Sequence, residues 1–204
     1  MLIHSASQVL QMTEQPQRGV SLGELNILYD GALLFRDGKI EAVGTTEELL
    51  DLYPAEIRYN ASERVVMPGF VDPHTHAIWA GDRAAEFERR IAGESYMDIL
   101  AAGGGILSTV NATRSASIDD LVNSTLPRLR SMFLHGTTTA EIKTGYGLEL
   151  DTELRMLAAL LRLQAESELA IVPTFLGAHA IPPEFENNAG GYTEVLTNDM
   201  LPGL

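Results

Sequence analysis

Cysteine does not occur among the 204 residues. That excludes a disulfide framework, a thiolate nucleophile and any Cys-based zinc site. Positive charge is scarce: 14 Lys+Arg stand against 28 Asp+Glu, a formal net charge of −14. A surface of that sign repels phosphate backbones, so nucleic-acid binding is not expected. Long apolar runs are missing too. None reaches the roughly 18 residues needed to cross a bilayer, and Met1–Gln15 lacks the basic and apolar regions of a signal peptide. No membrane role is expected, and the expected location is cytoplasmic. What is present, 45% hydrophobic and 21% charged residues, is the composition of a globular chain.

The first third reads as strands and turns. Ala32–Arg36 and Lys39–Val43 flank Asp37-Gly38, a two-residue hairpin signal. Thr46–Tyr53 reads as a short helix capped by Thr45 or Thr46 and ended by Pro54. Arg64–Met67 is a short apolar run punctuated by Pro68-Gly69, where a domain junction is expected. Beyond it the period changes. Phe70–Asp72 reads as a strand and Arg83–Ala101 as one helix. Ser117–Leu134 reads as a helix with a capping box at Ser117 and Asp120, kinked at Pro127. Thr137–Lys143 is β-branched and strand-like, Asp151–Glu168 is a helix capped by Asp151, and Ala170–Leu176 is the next strand. Alternating strands and helices indicate βα units on a parallel sheet. The expected organisation is a β-rich domain over residues 1–67 and the first part of a (β/α) barrel over 68–204. A complete (β/α)₈ barrel needs roughly 250 residues, so the chain is expected to be the front portion of a longer protein.

The chemistry concentrates in Val66-Met-Pro-Gly-Phe-Val-Asp-Pro-His-Thr-His76. Side chains alternate along a strand, so His74 and His76 point the same way. Two converging imidazoles at a strand end make half a site for zinc or iron. A ligand-free surface HxH is the plainer alternative. The flanking Pro-Gly, the apolar lead-in and the strand-end position weigh against it, because local rules fail together at functional sites.

PGFVDPHTH resembles the first-strand metal motif of the amidohydrolase superfamily, and Phe35-Arg-Asp-Gly-Lys-Ile-Glu-Ala-Val-Gly44 resembles the hairpin of its small domain. Four segments narrow the likeness to the imidazolonepropionase family: Ala80-Gly-Asp-Arg83, Gly103-Gly-Gly-Ile-Leu-Ser-Thr-Val110, Gly136-Thr-Thr-Thr-Ala-Glu-Ile-Lys-Thr-Gly-Tyr-Gly147 and Thr174-Phe-Leu-Gly-Ala-His-Ala-Ile-Pro-Pro183. The resemblance implies a small β-sandwich joined to a (β/α)₈ barrel, here incomplete. It implies that His74 and His76 hold one divalent metal, Zn²⁺ or iron, and that Arg83, Tyr146 and His179 contact substrate. The implied reaction is hydrolysis of the ring C–N bond of 4-imidazolone-5-propanoate to N-formimidoyl-L-glutamate, in histidine degradation. A homodimer is expected of the complete protein. Arg83 suits bidentate binding of the propionate carboxylate. Tyr146 would be presented by a flexible Gly-Tyr-Gly turn, and His179 could donate to the ring or to a developing oxyanion.

Other residues carry less. Lys143 ends a barrel strand, where some amidohydrolases bridge two metals with a carboxylated lysine; the resemblance implies one metal, so Lys143 reads as structural or as support behind the ligands, and Glu141 on the same face could pair with it. The triple glycine lacks a following Gly-Lys-Ser/Thr, so crowding explains it better than a phosphate cradle. His135 belongs at a helix C-terminus, and His4 lies in a start expected to be exposed. No catalytic residue is assignable. No histidine follows His179, so a three-ligand metal site is not complete and the isolated chain is expected to turn over negligibly. Another amidohydrolase, acting on a cyclic amide or deaminating a heterocycle, and a non-catalytic fragment stay open as alternatives.

Overall fold

The structure, a computed structural model, describes residues 1–13 and 16–204; the last two residues of the Met1–Gln15 segment lie outside the described residues. The chain is mixed α/β and divides into two compact units, Met1–Pro68 and Gly69–Leu204.

The first unit holds β1 (Leu2–Gln11), β2 (Asn26–Arg36), β3 (Lys39–Thr45), α1 (Thr46–Leu52), β4 (Arg58–Asn60) and β5 (Val65–Val66). Its sheet runs β3-β2-β1-β4, with β5 also paired to β1. Asp37 and Gly38 both take positive φ, 50° and 75°. A tight two-residue turn with that backbone matches the twist of the β2–β3 hairpin it closes. At α1 the Thr45 side chain accepts from Glu48 N at 3.3 Å while Glu48 accepts from Thr45 N at 3.0 Å, a reciprocal cap. Along β2, Ala32 and Leu34 join a core cluster with Leu2 and Leu49, whereas Leu33 joins Ala6, Val9 and Ala61. Both sheet faces are therefore covered, so ALLF shows no polar alternation. The expected exposed start is instead a strand, β1. Ser5 sits at a break in its register with φ 59°, and His4 is half-buried with Nδ1 2.9 Å from Ser5 Oγ.

The second unit holds β6 (Phe70–Thr75), α2 (Ala84–Ile91), α3 (Tyr96–Ala101), α4 (Ile106–Ser115), α5 (Ile118–Leu134), β7 (Thr137–Lys143), α6 (Leu150–Glu166), β8 (Ala170–Thr174) and α7 (Ala189–Val195). β6, β7 and β8 form a parallel sheet in that order. The single helix expected over Arg83–Ala101 is two, because Gly93 takes φ 93° and ends α2, and Ser95 then caps α3. α6 is preceded by Glu149 at its N-cap, and Asp151 lies in its first turn instead. α4 has no counterpart in the sequence reading. Ala140 and Ile142 of β7 pack with Leu121, Val122, Leu129, Met156, Leu160 and Leu163 of α5 and α6. Strand alternation sends Glu141 and Lys143 to the other face.

Candidate functional site

β6 ends in the His-x-His pair, and its alternation carries both rings to one side, with centroids 5.6 Å apart. Asp72 steadies the turn by accepting from His74 N at 3.2 Å. His76 Nδ1 is buried without a hydrogen-bond partner. Burial first, then the neighbouring His179, His74 and Lys143, pushes His76 below the ordinary imidazole pKa. A neutral ring with a free lone pair is the form that binds metal.

Two strand ends away, His179 closes a 3₁₀ turn, Gly177–His179, that follows β8. Its ring stacks on His76 with centroids 4.4 Å apart and planes 18° apart. Tyr146, in the loop after β7, lies 5.6 Å from His76 and 5.2 Å from His179. Burial raises the pKa of its phenol, and Arg83 opposes that rise. His179 Nδ1 lies 3.0 Å from Gly145 O. A carbonyl only accepts, so Nδ1 carries the hydrogen and Nε2 of the neutral ring is an acceptor. His179 in that state cannot donate through Nε2, which narrows the donor role read from the sequence.

Arg83 sits at the N-cap of α2. Its Nε donates to Glu86 Oε2 at 3.2 Å, while Glu86 Oε1 accepts from Gly105 N at 3.0 Å. The guanidinium keeps both Nη groups clear of that ion pair. With Trp79, Thr109 and Tyr146 it lines a cavity of about 230 Å³. The structure thus brings together His74, His76, Tyr146 and His179 as one cluster of rings, and joins Arg83 to Tyr146 across the cavity. His135 is elsewhere, its Nδ1 2.7 Å from Ser131 O at the end of α5.

Crowding explains part of the triple glycine: a Cβ on Gly104 would lie 2.7 Å from Ile99 Cγ2 and 2.8 Å from Ile99 O and one on Gly105 3.0 Å from Leu100 Cδ1, whereas Gly103 has open space and takes φ 82°. Lys143 pairs with Glu141. Burial raises the Glu141 carboxyl, but hydrogen bonding to Lys143 among other contacts leaves it below its ordinary value. Among the described residues, no group of three or more His, Cys, Asp or Glu is placed to hold a metal ion.

Two features escape the sequence reading. The Gly-Tyr-Gly turn is clamped, not flexible: a Cβ on Gly145 would meet His179 Cβ and Leu176 O, each at 2.7 Å, and one on Gly147 would meet Glu153 N at 2.8 Å. The clamp is Glu153, fully buried, which accepts from the amides of Gly145, Gly147 and Leu148. A signal existed. Glu153 occupies the same α6 stripe as Met156 and Leu160, three and seven residues on, where an acid needs a reason.

The family profile described as "Imidazolonepropionase-like composite domain, bacteria" matches residues 31–55. An imidazolonepropionase of Chloroflexus aggregans is 49% identical over 204 residues, covering 99% of this chain and 48% of that protein. Those of Herpetosiphon aurantiacus and Symbiobacterium thermophilum are 46% and 45% identical, each over 100% of this chain and 47% and 49% of theirs. The chain spans about half the length of the curated relatives it matches. Among solved structures, E. coli guanine deaminase superposes with a TM-score of 0.61 at 17% identity, over 96% of this chain and 43% of that one. Guanine deaminase from Bradyrhizobium japonicum gives 0.58 at 17%, over 84% and 34%. At such low identity these two speak for the fold alone. Over the length it has, the chain is a homologue of the imidazolonepropionases.

Proposed function

We propose that this chain carries the substrate-binding face and half of the metal site of an imidazolonepropionase, a hydrolase that opens the C–N bond of 4-imidazolone-5-propanoate. The observation that carries the reading is the convergence of His74, His76, Tyr146 and His179, with Arg83 across a shared cavity from Tyr146. In this reading Met1–Pro68 belongs to a small β-sandwich domain, and β6, β7 and β8 are the first strands of a (β/α)₈ barrel whose active site lies at the strands' C-terminal ends.

The donor set fits a metal as half a site: two imidazoles on one side of a strand, one with a buried, unpartnered nitrogen. His74 and His76 would hold Zn²⁺ or iron. When bound, such an ion supplies Lewis acidity and a hydroxide from water with a pKa of about 7. The other roles fall to this chain's own side chains. Arg83 takes the propionate carboxylate on its two free Nη groups and anchors the substrate tail, so remote binding energy becomes position at the ring. Tyr146 donates its phenolic hydrogen to a substrate oxygen. His179 accepts from a ring N–H through Nε2. The site is a small-molecule site, and among the described residues no helix is long and apolar enough to cross a membrane. A cytoplasmic homodimer is the setting this reading assumes.

Trp79 is the one tryptophan and lines the cavity, so its emission reports binding. The 204-residue chain should respond saturably to 4-imidazolone-5-propanoate and not to dihydroorotate or guanine. Arg83→Met should weaken that response about tenfold or more, the loss of a charged hydrogen-bond pair. Turnover by the chain alone should be negligible beside a full-length relative. Equal response to all three compounds, or an Arg83→Met variant that binds as wild type, rejects the assignment.

A further inference from the structure

We propose that Glu153 is a positioning residue for this site, holding Tyr146 and His179 as one unit through the backbone of Gly145; the substrate named in the test rests on the function proposed above. A charged side chain with no exposure is rare unless its charge is met. Here both oxygens are met by backbone amides. Oε1 accepts from Gly147 N at 2.8 Å, Leu148 N at 2.9 Å and Gly145 N at 3.2 Å, and Oε2 accepts from Gly145 N at 3.0 Å. The carboxylate therefore grips the amides on both sides of Tyr146. Gly145, held by its N–H, offers its carbonyl to His179 Nδ1 at 3.0 Å. One acid on α6 thus sets the loop that carries the phenol, and through one residue it sets the ring state of the histidine stacked on His76.

The surroundings keep the grip in register. Leu148 takes φ 54°, a conformation that a free leucine rarely adopts, and Gly145 takes φ 105°, which glycine allows. Arg114 binds the outer side of the same loop, its Nε donating to Gly147 O at 2.7 Å. Thr144, just before the loop, accepts from Leu176 N at 2.9 Å through its hydroxyl, tying the β7 and β8 ends together. None of these residues faces the cavity, so their effect on the site passes through the loop.

Glu153→Gln isolates the step. With its oxygen in the Oε1 position, glutamine keeps the bonds to Gly147 and Leu148 and the longer 3.2 Å contact from Gly145 N, but replaces the 3.0 Å acceptor of Gly145 N–H by an NH₂, donor against donor. Flipping the amide would oppose three donors instead of one, so the loss falls on the shorter of the two Gly145 contacts. The ¹⁵N-labelled 204-residue chain is compared with its Glu153→Gln variant by NMR of the imidazole nitrogens. Wild-type His179 should show the Nδ1–H tautomer, and the variant should move toward the Nε2–H form that water favours, with the overall amide spectrum retained. Affinity for 4-imidazolone-5-propanoate, read from Trp79, should fall about tenfold, the worth of one hydrogen bond to a charged group. Retention of the Nδ1–H tautomer in a folded variant overturns the proposal. Should the variant not fold, wild type decides: Gly145, Gly147 and Leu148 amides must be protected from exchange and His179 must be Nδ1–H, and failure of either overturns it. A tautomer shift without any substrate response in wild type supports the positioning role while rejecting the substrate.

Discussion

Gly145→Ala tests the packing on which the site depends. An added Cβ would lie 2.7 Å from both His179 Cβ and Leu176 O, well inside the 3.5–4.0 Å of a comfortable carbon contact. One of those atoms is a backbone oxygen and cannot rotate aside. Crowding of this kind costs about 1–3 kcal/mol. The left-handed backbone, φ 105°, adds on the order of 1–2 kcal/mol for any residue with a Cβ. The two contributions are separable within the same compact unit. Gly93 has φ 93° and nothing within 4 Å of its would-be Cβ, so Gly93→Ala carries the backbone cost alone. Gly190, in α7, also has open space and no positive φ, so Gly190→Ala should stabilise by about 0.5–1 kcal/mol. Urea unfolding followed by Trp79 fluorescence should order the stabilities as Gly190→Ala, wild type, Gly93→Ala, Gly145→Ala. The last two should differ by about 1–3 kcal/mol. Equal midpoints for Gly93→Ala and Gly145→Ala would refute the close approach of Gly145 to His179.

Two further outcomes follow from charge placement. Hydrogen bonds from Arg36, then from the amino terminus, hold the Glu56 carboxyl below its ordinary 4.5. A depressed acid contributes stability that is present above its unfolded pKa and lost as pH falls through the folded one. The melting-temperature gap between wild type and Glu56→Gln should therefore be full above the ordinary 4.5 and shrink as pH falls through the lower pKa of the folded state, and a gap independent of pH rejects the linkage. Arg128 lies 3.6 Å over the Trp79 ring and donates to Ala77 O and Trp79 O, each at 3.0 Å. Arg128→Lys keeps the charge but loses the fork, so it should cost about 1–2 kcal/mol and shift Trp79 emission to the red; unchanged emission would count against the stacking.

Legibility followed how many independent signals met at a residue. β7 carries β-branched residues bounded by Gly136 and Gly145, and it spans the expected Thr137–Lys143. The β2–β3 hairpin needed only Asp37-Gly38. β1 stayed hidden because its burial is shared between two faces and broken at Ser5, which erases the period-two pattern. The α2–α3 break turned on Gly93, which reads as a tolerated helix glycine until its positive φ is seen. In the site, His74 and His76 were legible because their relation is local. The roles of Gly145, Gly147 and Glu153 were not, because each depends on a partner placed by tertiary packing.

The stacking of His76 on His179 shows what kind of information the local pattern lacks. β7 lies between β6 and β8, and neighbouring strands are about 4.8 Å apart. Two side chains leaving the outer strands therefore start roughly twice that distance apart, yet their ring centroids are 4.4 Å apart. Both must lean over the end of the middle strand, and any side chain rising there would block them. Gly145 stands at that point, just past Lys143, and an added Cβ would run into His179. The glycine is thus the gap through which residues 103 positions apart meet, and its Glu153 tether keeps that gap in place. Strand ends can be read one at a time from a sequence. Which ends share an opening depends on sheet order, and sheet order is set by the core on the opposite face, where Ala140 and Ile142 pack against α5 and α6.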